Sequence, residues 1–256
     1  MQVLDLFSGI GGFSLGLEKA GMETVAFCEI EDYPRKVLKK HWPGIPIYND
    51  VTKLSKKVLD DDGITIDVIC GGFPCQDLSV AGKQKGIEAE RSGLWGEFSR
   101  LISEIRPRYA IVENVTNLLS GDRGGWFAKV LGDLAEIGYD AEWHCIPASH
   151  VGAPHQRDRV WIVAHANSEG LERHGRDDKR AGEWFAGARF SEKVWDEFDT
   201  EILRVADGIP KRLDKRIERL RSLGNAVCVP LVVEILRAIF NHQPSVGQRA
   251  ANTLPD

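Results

Sequence analysis

At 256 residues the chain is long enough for one large domain, or for a domain with a small appendage. Apolar residues at 43% and charged residues at 28% are ordinary for a globular protein with a real core. A net charge of −5 counts against nucleic acid as a partner on average, although a binding face needs only a local excess of cations.

Five cysteines (28, 70, 75, 145 and 228) are an odd number with no C-x-x-C pair and no zinc-like spacing. They predict reduced thiols rather than a disulfide scaffold, and no metal site. The N-terminal "QVLDLF" has no basic region followed by an apolar one, so no signal peptide is expected. No apolar stretch approaches membrane-spanning length in the sequence, which predicts a soluble intracellular protein.

Over the first 165 residues, β-branched runs alternate with helix-like segments, the pattern of a parallel α/β sheet. "VLDLF" (3–7) predicts a first strand, followed by a glycine-rich turn and a helix over 12–20. "ETVAFCE" (23–29) predicts a second strand and "DYPRKVLKKHW" a helix. "IPIYND" (45–50) and "TIDVIC" (65–70) are the third and fourth strands. A helix over 94–105, a fifth strand over 108–114 and a helix over 124–138 follow. "YDAEWHCIPAS" and "DRVWIVAH" are two later strands.

Composition turns polar and weakly periodic over 165–200, the place for a small inserted domain or a long loop. Residues 204–221, "RVADGIPKRLDKRIERLR", then hold seven Lys/Arg against three acids. By charge alone this run reads first as a solvated helix face. "PLVVEILRAIF" (230–240) is an apolar helix with Pro230 in its first turn. The last residues, 242–256, read as a disordered tail.

Ligands of open α/β sheets bind at the carboxyl ends of the strands. The residues at those ends are Phe7-Ser8-Gly9, Glu29, Asp50, Cys75 and Glu113. "DLFSGIGG" (5–12) joins a strand, a tight turn and a helix start, where glycines let a ligand approach the backbone and free N–H groups. Glu29, 17 residues after Gly12, can accept both hydroxyls of a ribose. Asp50 can bind an adenine amino group. Each feature alone is equally a plain turn or a solvated acid; together they point to a nucleoside, and the departure from G-x-G-x-x-G points away from a dinucleotide.

Cys75 follows the fourth strand in a loop with Gly71, Gly72 and Pro74, and Glu113 closes the next strand. "HQRDRVW" carries Arg157 and Arg159 at i and i+2, hence on one strand face. A loop thiol is often inert, and paired arginines are often a surface salt-bridge face. Set around one pocket, these residues fit covalent attack on a heterocycle with acid assistance and electrostatic support.

In this order the motifs resemble those of the DNA (cytosine-5) methyltransferases, and a compact prokaryotic or phage-type member in particular. "DLFSGIGGFSLGLE" is similar to the first cofactor motif, "GGFPCQDLSVAGKQKG" to the nucleophile motif and "ENV" (113–115) to the base-binding glutamate motif. "QRDRVWIVA" is similar to the arginine motif and "GNAV" (224–227) to the closing motif. His155 stands where the family usually has glutamine, with Gln156 next.

The resemblance implies a Rossmann-like S-adenosylmethionine-dependent methyltransferase fold with a small inserted target-recognition region. It implies a catalytic and cofactor domain over 1–164, recognition over 165–205, and a returning segment over 206–241. S-adenosyl-L-methionine would lie against Phe7, Ser8, Gly9, Ile10, Gly11, Gly12, Glu29, Ile30, Asp50, Val51, Pro74 and Leu94, with Asn225 and Val227 closing the pocket. Cys75 would attack C6 of a flipped cytosine, with Glu113 on its N3/N4 edge and Arg157 and Arg159 supporting the base and a neighbouring phosphate.

Gln76, Ser79, Arg216, Arg219 and Arg221 would meet DNA, and residues 76–91 would form a flap closing over it. Only about sixty residues separate "WIVA" from "GNAV", which implies a short or relaxed target sequence. The implied partners are double-stranded DNA and a cognate restriction endonuclease, with no membrane, for a monomer in the cytoplasm at the nucleoid. Two alternatives stand beside this reading: a cytosine-5 methyltransferase acting on RNA, and an inactive module that binds cofactor and DNA.

Overall fold

The computed structural model describes residues 1–74, 93–166 and 215–241. Cys75, Gln76, Ser79, the expected flap, most of the expected recognition region, the start of the basic run and the tail lie outside the described residues.

Among the described residues, seven strands form one sheet in the order β3-β2-β1-β4-β5-β7-β6. The strands are β1 (Gln2–Leu6), β2 (Glu23–Cys28), β3 (Ile47–Tyr48), β4 (Val68–Gly71), β5 (Tyr109–Val115), β6 (Tyr139–Pro147) and β7 (Asp158–Ala166). The helices are α1 (Gly12–Lys19), α2 (Asp32–His41), α3 (Lys56–Asp61), α4 (Leu94–Ile105), α5 (Asn117–Ser120), α6 (Gly125–Glu136), α7 (Arg216–Asn225) and α8 (Val229–Asn241).

The sheet is mixed rather than parallel throughout. β1 to β5 pair in parallel, but β7 runs antiparallel to both β5 and β6. The cause is the connection after β6, which holds only a 3-10 turn (Ala148–Val151). A parallel return needs a crossover long enough to span the sheet, usually a helix; a short link turns the chain back beside itself.

Two other departures are local. β3 is shorter than expected because Asp50 folds back, its Oδ1 accepting from the Thr52 N–H (3.0 Å) and hydroxyl (2.7 Å). α3 was not anticipated; its N-terminus is capped by Ser55, whose Oγ accepts from the Val58 N–H.

Strand alternation sends side chains to opposite faces. Leu4, Leu6, Ile69, Val112 and Ile162 pack with Phe98, Leu101, Ile102 and Trp95 of α4 and with Val130 and Leu134 of α6. Val3, Val68, Ile111, Trp161 and Val163 pack on the other face with Phe13 and Leu17 of α1 and Leu231, Val232, Ile235 and Leu236 of α8. The result is three layers. α1 and α8 pack closely because of Gly16, where a Cβ would fall 2.6 Å from that of Val232.

Residues 216–239 are long and apolar enough to cross a membrane by composition, contrary to the sequence expectation. The helix breaks at Ala226–Cys228, and Leu231, Val232, Val233, Ile235, Leu236 and Ile239 of α8 are buried in the domain core.

Candidate active site

The turn after β1 takes its shape from left-handed backbone at Phe7 (φ 52°), Gly9 (φ 53°) and Gly11 (φ 86°). Glycine is required at position 11 for a second reason: a Cβ there would sit 2.5 Å from the Trp42 ring. Ser8 was expected at the cofactor, yet its hydroxyl is used internally, donating 2.6 Å to the Asp5 carbonyl. The Ser8 N–H and the Cys28 carbonyl, 3.2 Å apart, tie the turn to the end of β2. Phe7 stacks against Phe98 at 6.3 Å. Ile10 is half-buried.

Glu29 follows directly after β2 and is 7% exposed. Its Oε2 accepts from the Gly9 N–H and its Oε1 from the Glu31 N–H, both at 2.7 Å. Burial raises its pKa, and the two backbone donors oppose that shift. The carboxylate is thereby locked onto the glycine turn. Ile30, next along, is 73% exposed, an apolar surface standing beside a fixed acid.

Asp50 lies past the end of β3, and its hydrogen bonds from Thr52 hold its carboxyl below the usual carboxylate range. The Val51 side chain is buried in the core beside Leu54. Arg100 of α4 fixes that turn by donating to the carbonyls of Val51 (3.0 Å) and Leu54 (2.8 Å).

Beneath the turn, Asp5 is fully buried, and its Oδ2 accepts from the Ser14 hydroxyl at 2.7 Å. Burial pushes its pKa up to about 8, so it holds its proton at neutral pH. The carboxyl joins β1 to the first turns of α1, a link that the motif spacing did not disclose.

A second cluster forms at the ends of β4 and β5. Glu113 is mostly buried, and its Oε1 meets the Arg159 Nε at 2.9 Å. A Cβ on Gly72 would lie 3.1 Å from Glu113 Oε2, so the carboxylate rests against the segment leading to Pro74. Burial raises the pKa of Glu113, while the charges of Arg159 and then Arg157 pull it down.

Asn114, not singled out from sequence, donates from Nδ2 to the Phe73 carbonyl at 3.0 Å. It pins the two residues before position 75 to β5. Its place within "ENV" was the available signal, but its reach to Phe73 was not. Pro74 is exposed, and Leu94 packs partly against the core at the start of α4.

The two arginines do not share a strand face. Arg157 precedes β7 and has φ 37°, so the alternation that relates i and i+2 does not reach it. Its guanidinium turns toward the returning chain, donating from Nη1 to the Gly224 carbonyl (3.0 Å) and from Nη2 to the Ala226 carbonyl (2.8 Å). Arg159 alone pairs with Glu113.

Val227 then packs on the glycine turn: a Cβ on Gly12 would fall 2.8 Å from its Cγ1. Asn225, at the end of α7, is exposed. On α7, Arg219 and Arg221 are exposed and Arg216 is half-buried. Arg221 meets Glu31 at 3.1 Å, so it is ion-paired to the residue whose N–H holds Glu29.

Among the described residues, no cluster of His, Cys, Asp and Glu could hold a metal ion, and Cys28, Cys70, Cys145 and Cys228 are free thiols.

A family model described as C-5 cytosine-specific DNA methylase matches residues 1–204. The chain belongs to that family. Type II methyltransferase M2.BsuMI of Bacillus subtilis is 37% identical over 168 residues, which are 64% of this chain and 42% of that protein. Type II methyltransferase M.HhaI of Haemophilus parahaemolyticus is 33% identical over 172 residues, 67% of this chain and 51% of that one.

The chain therefore spans about half the length of these curated relatives. Its fold is that of solved methyltransferases. The S. pombe Dnmt2 methyltransferase superposes with a TM-score of 0.62 at 16% identity, covering 93% of this chain and 98% of that one. The Entamoeba histolytica methyltransferase EhMeth gives 0.62 at 12% identity, covering 94% and 98%.

Proposed function

We propose that this chain methylates C5 of cytosine in double-stranded DNA, with S-adenosyl-L-methionine as cofactor. The observation that carries the reading is the buried Glu113 carboxyl, paired with Arg159 and resting against Gly72 just before Pro74 and Cys75. A buried carboxyl with a raised pKa suits hydrogen bonding or proton donation to N3 of a base.

The glycine turn and Glu29 fit a nucleoside-bearing cofactor. Gly9 and Gly11 leave the backbone open, each Glu29 oxygen keeps acceptor capacity beyond its one N–H partner, and exposed Ile30 offers an apolar side chain against which a purine can pack. Asp50 would take the amino edge, with Val227 behind the turn. When bound, this cofactor supplies an electrophilic methyl group.

The residues would act on the base as follows. The Cys75 thiolate would add to C6 while Glu113 holds the N3/N4 edge and donates to N3, so that C5 becomes nucleophilic. C5 would then take the methyl group as its bond to the cofactor's sulfonium breaks and leaves a neutral thioether. Loss of the C5 proton and departure of the Cys75 sulfur from C6 restore the ring. Arg159 keeps Glu113 oriented through both halves.

Arg216 and Arg219, with Gln76 and Ser79, would meet DNA, and Arg221 would join them on leaving Glu31. The domain assignment follows the same reading: catalysis over 1–164, recognition over 165–205 and closure over 206–241. The type II methyltransferase relatives support a restriction–modification setting; a cognate endonuclease as partner and a single copy of the chain acting in the cytoplasm complete the proposal.

The test is a trap. Fluorine at C5 cannot leave as a proton, so duplex DNA carrying 5-fluorocytosine should give a complex that survives denaturing electrophoresis, only with S-adenosylmethionine present. Cys75→Ser should give none. A band with RNA but not DNA would move the substrate to RNA. No band with either, despite cofactor and DNA binding, would leave an inactive binding module.

A further inference from the structure

The family resemblance assigns Arg157 and Arg159 together to a flipped base and its neighbouring phosphate, but their geometry separates them. The Arg159 Nε is 2.9 Å from Glu113. Arg157 instead spreads two donors across the carbonyls of Gly224 and Ala226, on either side of the α7 terminus. The last carbonyls of a helix have no partner within it and carry partial negative charge, so a guanidinium is a fitting cap. The backbone at Arg157 is held at φ 37°, a strained conformation for a residue with a side chain. Such strain persists where surrounding contacts fix it, and the two carbonyls supply those contacts.

One residue beyond Ala226, Val227 lies on Gly12, the first residue of α1. α1 begins where the glycine turn ends, and that turn holds Glu29 through the Gly9 N–H. The Arg157 clamp is therefore continuous with the wall of the cofactor pocket. α7 is also tied to that pocket by Arg221, which pairs with Glu31, whose own N–H holds Glu29. The Arg221–Glu31 pair is exposed and so weak. The bidentate clamp is the better shielded of the two, with Arg157 half-buried and its bond to the Ala226 carbonyl partly covered.

We propose that Arg157 is a positioning residue for the cofactor pocket: it clamps the Gly224–Ala226 turn so that Val227 closes on Gly12, and it does not contact the base. This rests on the methyltransferase reading above. A lysine in its place carries one point charge and cannot span two carbonyls as a planar fork does.

The experiment measures S-adenosylmethionine binding by calorimetry in the absence of DNA, for the wild-type chain, Arg157→Lys, Arg157→Ala and Arg159→Ala. Both Arg157 variants are expected to weaken cofactor binding about tenfold, Lys less than Ala, and Arg159→Ala by no more than about twofold. In steady state, Arg157→Lys should raise the KM for cofactor more than it lowers kcat.

If Arg157→Ala fails to fold, Arg157→Lys decides the matter. Unchanged cofactor affinity in Arg157→Lys overturns the proposal, whether its melting temperature falls (a purely structural role) or only its DNA binding weakens (a phosphate contact). A wild-type chain that binds no cofactor overturns the underlying reading instead.

Discussion

Arg159 reaches Glu113 on a diagonal between two antiparallel strands: Glu113 stands opposite Trp161, and Arg159 stands opposite Val115. Diagonal neighbours in such a pair lie within reach of a long side chain. The contact therefore depends on β7 running against β5, and it places a cation on a carboxyl that burial drives toward its neutral form.

Glu113→Gln should lower the methylation rate by about two to four orders of magnitude, the span of general acid–base catalysis. Arg159→Met removes the charge that favours ionised Glu113, so the Glu113 pKa should rise further. If the protonated carboxyl serves N3, the alkaline limb of the rate profile moves to higher pH. Rates measured across pH for the two variants check this; a limb that stays in place in Arg159→Met contradicts it.

Asn114→Ala leaves the Phe73 carbonyl without its donor. The expected loss of stability is about 1–3 kcal/mol, the cost of a buried unpaired polar group. Denaturant unfolding measures it, and turnover should fall while cofactor affinity holds. A fall in cofactor affinity alone would place the role of Asn114 elsewhere.

Asp5 titrates near 8 in the fold against 3.8 for the ordinary group. Between these values the folded state binds more protons than the unfolded one, so this residue makes stability fall as pH rises. Its contribution is complete below about 3.8 and lost through 8. Asp5→Asn keeps an acceptor for the Ser14 hydroxyl and removes the titration. Its melting temperature relative to wild type should therefore climb from pH 5 to pH 9, and a difference that is flat with pH would refute the buried neutral acid.

Arg216, Arg219 and Arg221 changed together to alanine should weaken cognate and random duplexes alike. For every phosphate that an arginine no longer neutralises, the slope of log affinity against log salt should shrink by about 0.9. Filter binding over a salt series measures it. An unchanged slope would make α7 only the solvated face that its charge pattern first suggests.

Local order along the chain carried much of this protein. The glycine turn, Glu29 at the end of β2, Glu113 on β5 and the apolar α8 were all legible, because each depends on strand alternation, helical periodicity or the backbone freedom of glycine. Cys75 was legible as a candidate in the same way and lies outside the described residues. What adjacency could not supply was the set of contacts between distant segments. Asn114 meets a carbonyl 41 residues away, and Arg157 meets two at 67 and 69. Whether Arg157 and Arg159 shared a face depended on one backbone angle at the entrance to β7. That angle, and the placement of β7 between β5 and β6, were decided only by packing: a side chain's partner is set by the element that folds against it, and no periodicity encodes which element that is.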